Sequence, residues 1–100
     1  MFFKPGVKVF GVANELTLAM IAADQVYDEF GQEFVVTSVV DSKHSRTSLH
    51  YAGMAFDCRT RDTDPVTIEK IAGDLRARLT NEYDVVVESD HLHIEFQPKR

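Results

Sequence analysis

Between His91 and Phe96 every second residue is apolar: Leu92, Ile94 and Phe96 interleave with His91, His93 and Glu95. Side chains on a strand alternate between faces. The segment therefore reads as a strand with one buried face and one polar face that carries two imidazoles and a carboxylate. The valine-rich segment Tyr83 to Val87 precedes it, and only Glu88-Ser89-Asp90 joins the two, which predicts a hairpin. Phe34 to Val40 and Met54 to Arg59 supply two more strands, with a polar loop from Asp41 to Ser48 between them.

Two helices complete the pattern. Leu16, Met20, Ala23, Tyr27 and Phe30 recur at steps of four and three, predicting a helix over Glu15 to Phe30, with Asn14 as its cap and Gly31 as its stop. Ile68, Ile71, Ala72, Leu75 and Leu79 form a second stripe that Asp64-Pro65 opens and Asn81-Glu82 breaks. Near the start, Pro5-Gly6 is a turn signal leading into a short strand over Val7 to Phe10. The chain has 100 residues, which is one domain over 1–100. The order predicts an α+β fold: a mainly antiparallel sheet with two long helices packed on one face.

An apolar fraction of 44% with 27% charged residues excludes a disordered or fibrous chain. No apolar run approaches the roughly 18–20 residues that span a bilayer, so membrane insertion is not expected. Met1 to Gly6 lacks the features of a secretory signal, which predicts a cytoplasmic product as synthesised. The net charge of −5 argues against a nucleic-acid partner, although Lys43, His44, Arg46, Arg59 and Arg61 make one stretch locally basic. Cys58 is the only cysteine. That excludes an intramolecular disulfide and a four-cysteine zinc site, and leaves histidine and carboxylate to hold any metal.

Two clusters carry chemistry. His91 and His93 share one strand face, and a solvated outer face is the alternative to a site there. Asp57 stands between Phe56 and Cys58 and needs a compensating partner, because burying an unpaired charge is costly. A metal ion would supply it; so would Arg59 or Arg61 in an ion pair. Two histidines and an aspartate make the three-ligand pattern of catalytic zinc, with the fourth position open to water. Asp90, His91 and Glu88 stand within three residues of the ligand candidates and are the nearby bases. Glu95 would fix a ligand tautomer. Cys58 should point away from Asp57 as a small buried apolar residue. His44 reads as a surface group or as one that supports a ligand, rather than as a ligand itself.

The run Ser48-Leu49-His50-Tyr51-Ala52-Gly53-Met54-Ala55-Phe56-Asp57, followed by Asp90-His91-Leu92-His93-Ile94-Glu95, resembles the zinc D-Ala-D-Ala peptidases. These include carboxypeptidases, dipeptidases and phage L-alanyl-D-glutamate endolysins, and share the hedgehog-type fold. The resemblance implies His50, Asp57 and His93 as zinc ligands and Asp90 or His91 as the base, with Asp90 preferred because it stands three residues before the last ligand. It implies that Ser48 orients a ligand or the substrate. Tyr51, beside His50, either lines the cleft or, the stronger expectation, packs in the core. The arginine that relatives carry after a Thr-Ser strand end is missing after Thr37-Ser38, and Arg46 or Lys43 would take its role at the oxyanion. The implied function is cleavage of peptidoglycan peptides by a monomer, after release or within a phage particle. The alternative is a non-catalytic metal-binding module of such a particle.

Overall fold

A computed structural model describes residues 1–7, 14–42 and 53–97. Its elements run β1 (Phe2–Phe3), α1 (Asn14–Glu29), β2 (Val35–Ser42), β3 (Gly53–Arg59), α2 (Pro65–Arg78), β4 (Tyr83–Val87) and β5 (His91–Phe96). The five strands form one mixed sheet in the order β1-β2-β3-β5-β4. Only the β1–β2 pair is parallel. The fold is α+β, with both helices and one face of the sheet sharing a single hydrophobic core.

The alternation in β5 is realised as expected. Leu92 and Ile94 are fully buried and Phe96 nearly so, while His91 and His93 are half-buried. Phe56 and Cys58 of β3 and Val85 of β4 join the same apolar layer. Over it lie Leu16, Ala19, Met20, Ala23, Val26 and Tyr27 of α1, and Ile68, Ile71, Ala72 and Leu75 of α2. Burying such side chains stabilises by roughly 1.5–3 kcal/mol each before chain entropy is charged against it.

The helix ends follow their local chemistry. Asp64 caps α2: its carboxylate accepts from the Thr67 amide at 3.1 Å and the Thr67 hydroxyl at 2.7 Å. Those bonds hold its carboxyl below the usual carboxylate range. Arg76 reaches from α2 to the Val85 carbonyl through Nε at 3.1 Å and Nη2 at 2.7 Å, tying the helix to the outer strand. Asn14 is itself helical, within α1, rather than the cap before it. Gly31, at φ +70°, ends the turn that follows.

Three expectations shift. A strand forms at Phe2–Phe3, ahead of the Pro5-Gly6 turn; Val7 lies in no strand, and Lys8 to Phe10, the rest of the stretch expected to be one, lie outside the described residues. The Phe2 amide bonds to the Phe34 carbonyl at 2.9 Å and the Lys4 amide to the Val36 carbonyl at 2.8 Å, so pairing with β2 selects this segment. Strand β2 runs on through Asp41 and Ser42, because Asp41↔Met54 and Ser42↔Gly53 continue the backbone ladder whatever the polarity of the side chains. The third shift is a bulge. Val36 pairs with Cys58 and Ser38 with Asp57, which leaves Thr37 as an extra residue on β2. The bulge changes the phase of the strand, so Val36 and Val39 both meet the core.

Candidate metal centre

Strands β3 and β5 are antiparallel neighbours whose register is set by their apolar faces: Phe56 lies opposite Ile94 and Cys58 opposite Leu92. A slip of one residue would turn both histidines into the core. The same register sets Asp57 opposite His93 and Arg59 opposite His91 on the other face. The Thr37 bulge adjoins Asp57, and the Thr37 hydroxyl donates to the Asp57 carbonyl at 3.3 Å.

On this face Asp57, His91 and His93 offer one ligand atom each, all within 4.8 Å of one another. His93 Nδ1 lies 2.7 Å from Asp57 Oδ1, and His91 Nε2 lies 3.8 Å from the same oxygen. The remaining ring nitrogens meet carboxylates. His91 Nδ1 is 2.7 Å from Asp90 Oδ1, and His93 Nε2 is 3.1 Å from Glu95 Oε1. Each imidazole therefore turns one nitrogen to Asp57 and rests the other on an acid. That is how metal-binding histidines are usually held, because the outer carboxylate fixes the tautomer and raises ligand basicity.

Glu95 is buried, at 6% exposure, and also accepts from Gln97 Nε2 at 2.5 Å. Burial works against a charged His93, but the hydrogen bonds to Glu95 and Asp57 and the charge on both outweigh it, so the ring titrates above its ordinary range. The hydrogen bond to His91 holds the exposed Asp90 carboxyl below the usual carboxylate range. Cys58 points the other way. Its thiol is buried beside the Tyr27 hydroxyl at 3.5 Å, and burial pushes it up to about 12, so it is inert.

Two imidazoles and a carboxylate suit zinc. Ligand atoms around a tetrahedral ion with bonds of ~2.0–2.2 Å sit roughly 3.3–3.6 Å apart. The Asp57 distances of 2.7 and 3.8 Å bracket that spacing, and small side-chain rotations would close the set. The residues present thus fit a divalent ion.

Of the residues singled out from sequence, Asp57 and His93 come together, His91 joins them, and Asp90 abuts through His91. Lys43, His44, Arg46, Ser48, His50 and Tyr51 lie outside the described residues. Asp57 finds its partner in histidine; among the described residues no ion pair links it to Arg59 or Arg61. Sequence reasoning did not connect Lys4 with this region. Lys4 carries no local signal, since pairing of β1 with β2 delivers it. No protein-family model, curated protein or solved structure matches this chain. Among the described residues no helix is long and apolar enough to cross a membrane.

Proposed function

We propose that this protein is a zinc peptidase of the D-Ala-D-Ala peptidase type, with a hedgehog-like fold, that cleaves peptidoglycan peptides. The observation that carries the reading is the convergence of Asp57, His91 and His93 with a carboxylate behind each imidazole. Asp57 and His93 are two of the ligands, and His50 is the third.

When bound, zinc supplies a Lewis acid for the scissile carbonyl and lowers the pKa of a coordinated water to about 7. Asp90 is the base that takes the water's proton and returns it to the leaving amine, and His91, bonded to it, is the second proton carrier. Glu95 holds His93 in the tautomer that offers Nδ1 to the ion. Arg46 or Lys43 stabilises the oxyanion, and Ser48 orients a ligand or the substrate. The protein acts as a monomer on the cell wall, after release or as part of a phage particle.

One observation favours a second reading, a non-catalytic metal-binding module of a phage particle. Asp57, His91 and His93 make a three-donor set without His50. Protein purified without chelator should hold about one zinc per chain and digest purified peptidoglycan. His50→Ala should lose the metal and His91→Ala should keep it. Asp90→Asn should retain zinc and lose turnover by about 10²–10⁴-fold. Zinc that survives His50→Ala but not His91→Ala, with no digestion by the native protein, would establish the second reading instead.

A further inference from the structure

A hollow of about 310 Å³ lies between the end of β3, the first turn of α2 and the turn that joins β4 to β5. It is separate from the cleft of about 340 Å³ that Asp57, His91, Lys4 and Arg59 line, although Arg61 and Asp90 border both. Its apolar lining is Pro65, Ile68 and Val87. Ile68 is almost wholly buried, and Val87 packs against the core. The polar groups that share the hollow with them are Thr60, Glu69 and Glu88.

Thr60 is only 9% exposed, yet its hydroxyl has no hydrogen-bond partner among the described residues. Its carbonyl is satisfied, accepting from the Thr63 amide at 3.0 Å, and the Thr63 hydroxyl donates to Gln32 Oε1 at 2.8 Å. Buried polar side chains are nearly always bonded, and leaving one unbonded costs stability. A lone hydroxyl on the wall of a hollow therefore points to a group that enters it. Glu69 and Glu88 form no ion pair among the described residues. Asp90 is engaged by His91 at 2.7 Å, and Arg61 stands on the side shared with the cleft. The Asp64 carboxylate accepts from the Thr67 amide at 3.1 Å and so answers the positive end of α2, which leaves the acids of the hollow uncancelled from that side.

We infer that this hollow binds a primary alkylammonium group, its stem against Ile68 and Val87, its charge facing Glu69 and Glu88, and one N–H donated to the Thr60 hydroxyl. An ammonium carries three donors and no acceptor, which matches three acceptors from three elements. Both glutamates are exposed, so each side chain is free to turn towards a charge beside Thr60. The apolar lining takes the methylenes. A bare metal ion would leave that lining unused, and an anion would meet Glu69, Glu88 and Asp90. The volume suits a small ligand, since such pockets begin at roughly 300 Å³. The inference does not rest on the peptidase reading. Two sources share this chemistry: a free alkylamine and the side chain of a lysine-like residue in a peptide.

NMR titration of the full chain, with and without zinc, tests this with two probe pairs: pentylamine against 1-pentanol, and acetyl-lysine amide against acetyl-norleucine amide. In at least one pair the amine should bind about tenfold or more tightly than its neutral partner, with shifts centred on Thr60, Ile68 and Val87. The pair that discriminates identifies the source. Glu69→Gln and Glu88→Gln should each weaken the amine by about 3–10-fold without lowering the melting temperature. Thr60→Val keeps the shape and removes the hydroxyl. It should weaken the amine by a similar factor while the protein melts no lower than native, because an unbonded hydroxyl contributes nothing to the fold. Thr60→Val melting several degrees lower would show that the hydroxyl serves the fold and would overturn the inference. Equal binding of amine and neutral probe in both pairs would overturn it too, as would an amine preference that survives Glu69→Gln and Glu88→Gln together. Because the preference is read without zinc as well, absence of metal or of turnover leaves this result standing and counts against the peptidase reading alone.

Discussion

His93→Ala is expected to lower zinc affinity by more than about 100-fold and to abolish hydrolysis with it. Removing an outer carboxylate from a metal-bound histidine typically costs 10–100-fold. Losing the ligand itself should cost more, so Glu95→Gln is the graded control and should fall within that range. The pH dependence follows from the raised titration of His93. In the metal-free protein the charged ring, paired with Asp57 and Glu95, contributes stability that is fully present below the unfolded value of about 6.5. That contribution is lost as pH rises through the higher folded value. Zinc requires the neutral ring, so its affinity should run the opposite way, climbing through the same window. Metal titrations between pH 5 and 8 check both trends. Stoichiometric zinc on His93→Ala at micromolar metal, or an affinity flat across that range, would remove His93 from the centre.

Phe56→Ala should destabilise the fold by about 3–5 kcal/mol. Phe56 is fully buried, faces Phe34 edge-on with ring centroids 6.1 Å apart, and lies opposite Val39 and Ile94 in the sheet. Both helices close over the layer to which it belongs. A chain of this size has roughly 5–15 kcal/mol in total. The variant should therefore melt at least roughly 12 °C lower and approach half-unfolding at 37 °C if native stability is at the low end. Urea denaturation reads the change directly. Phe56 and Asp57 are consecutive on β3, so the cavity should also loosen the site and raise zinc dissociation. A loss under about 1 kcal/mol would mean that the core is organised around other side chains.

The elements were legible wherever neighbouring residues decide the outcome. The stripe from Leu16 to Tyr27, the Asp64-Pro65 start and the alternation from His91 to Phe96 all became the elements they predict. The polar face of β5 was legible for the same reason, since burying Leu92 and Ile94 turns His91 and His93 outward. The N-terminal strand was not. Phe2–Phe3 is two residues long and exists because β2 offers it an edge, which no property of Phe2 or Phe3 announces. The Thr37 bulge was equally invisible, since it answers a mismatch between β2 and β3 rather than any preference of threonine. At the site, Asp57 clearly needed a partner, and Arg59 was the nearest candidate along the chain. The partner is His93, because strand register acts across sequence distance.

Residue order alone settled the periodicities, the Asp64 cap of α2 and the chemical types available for a metal, because these are properties of a few adjacent side chains and persist whatever the rest of the chain does. Which groups meet depended on packing. The β3–β5 register brings Asp57 to His93, and the β1 edge brings Lys4 towards Arg59. Each results from burying one apolar layer, a quantity summed over segments far apart in the chain and absent from any one of them.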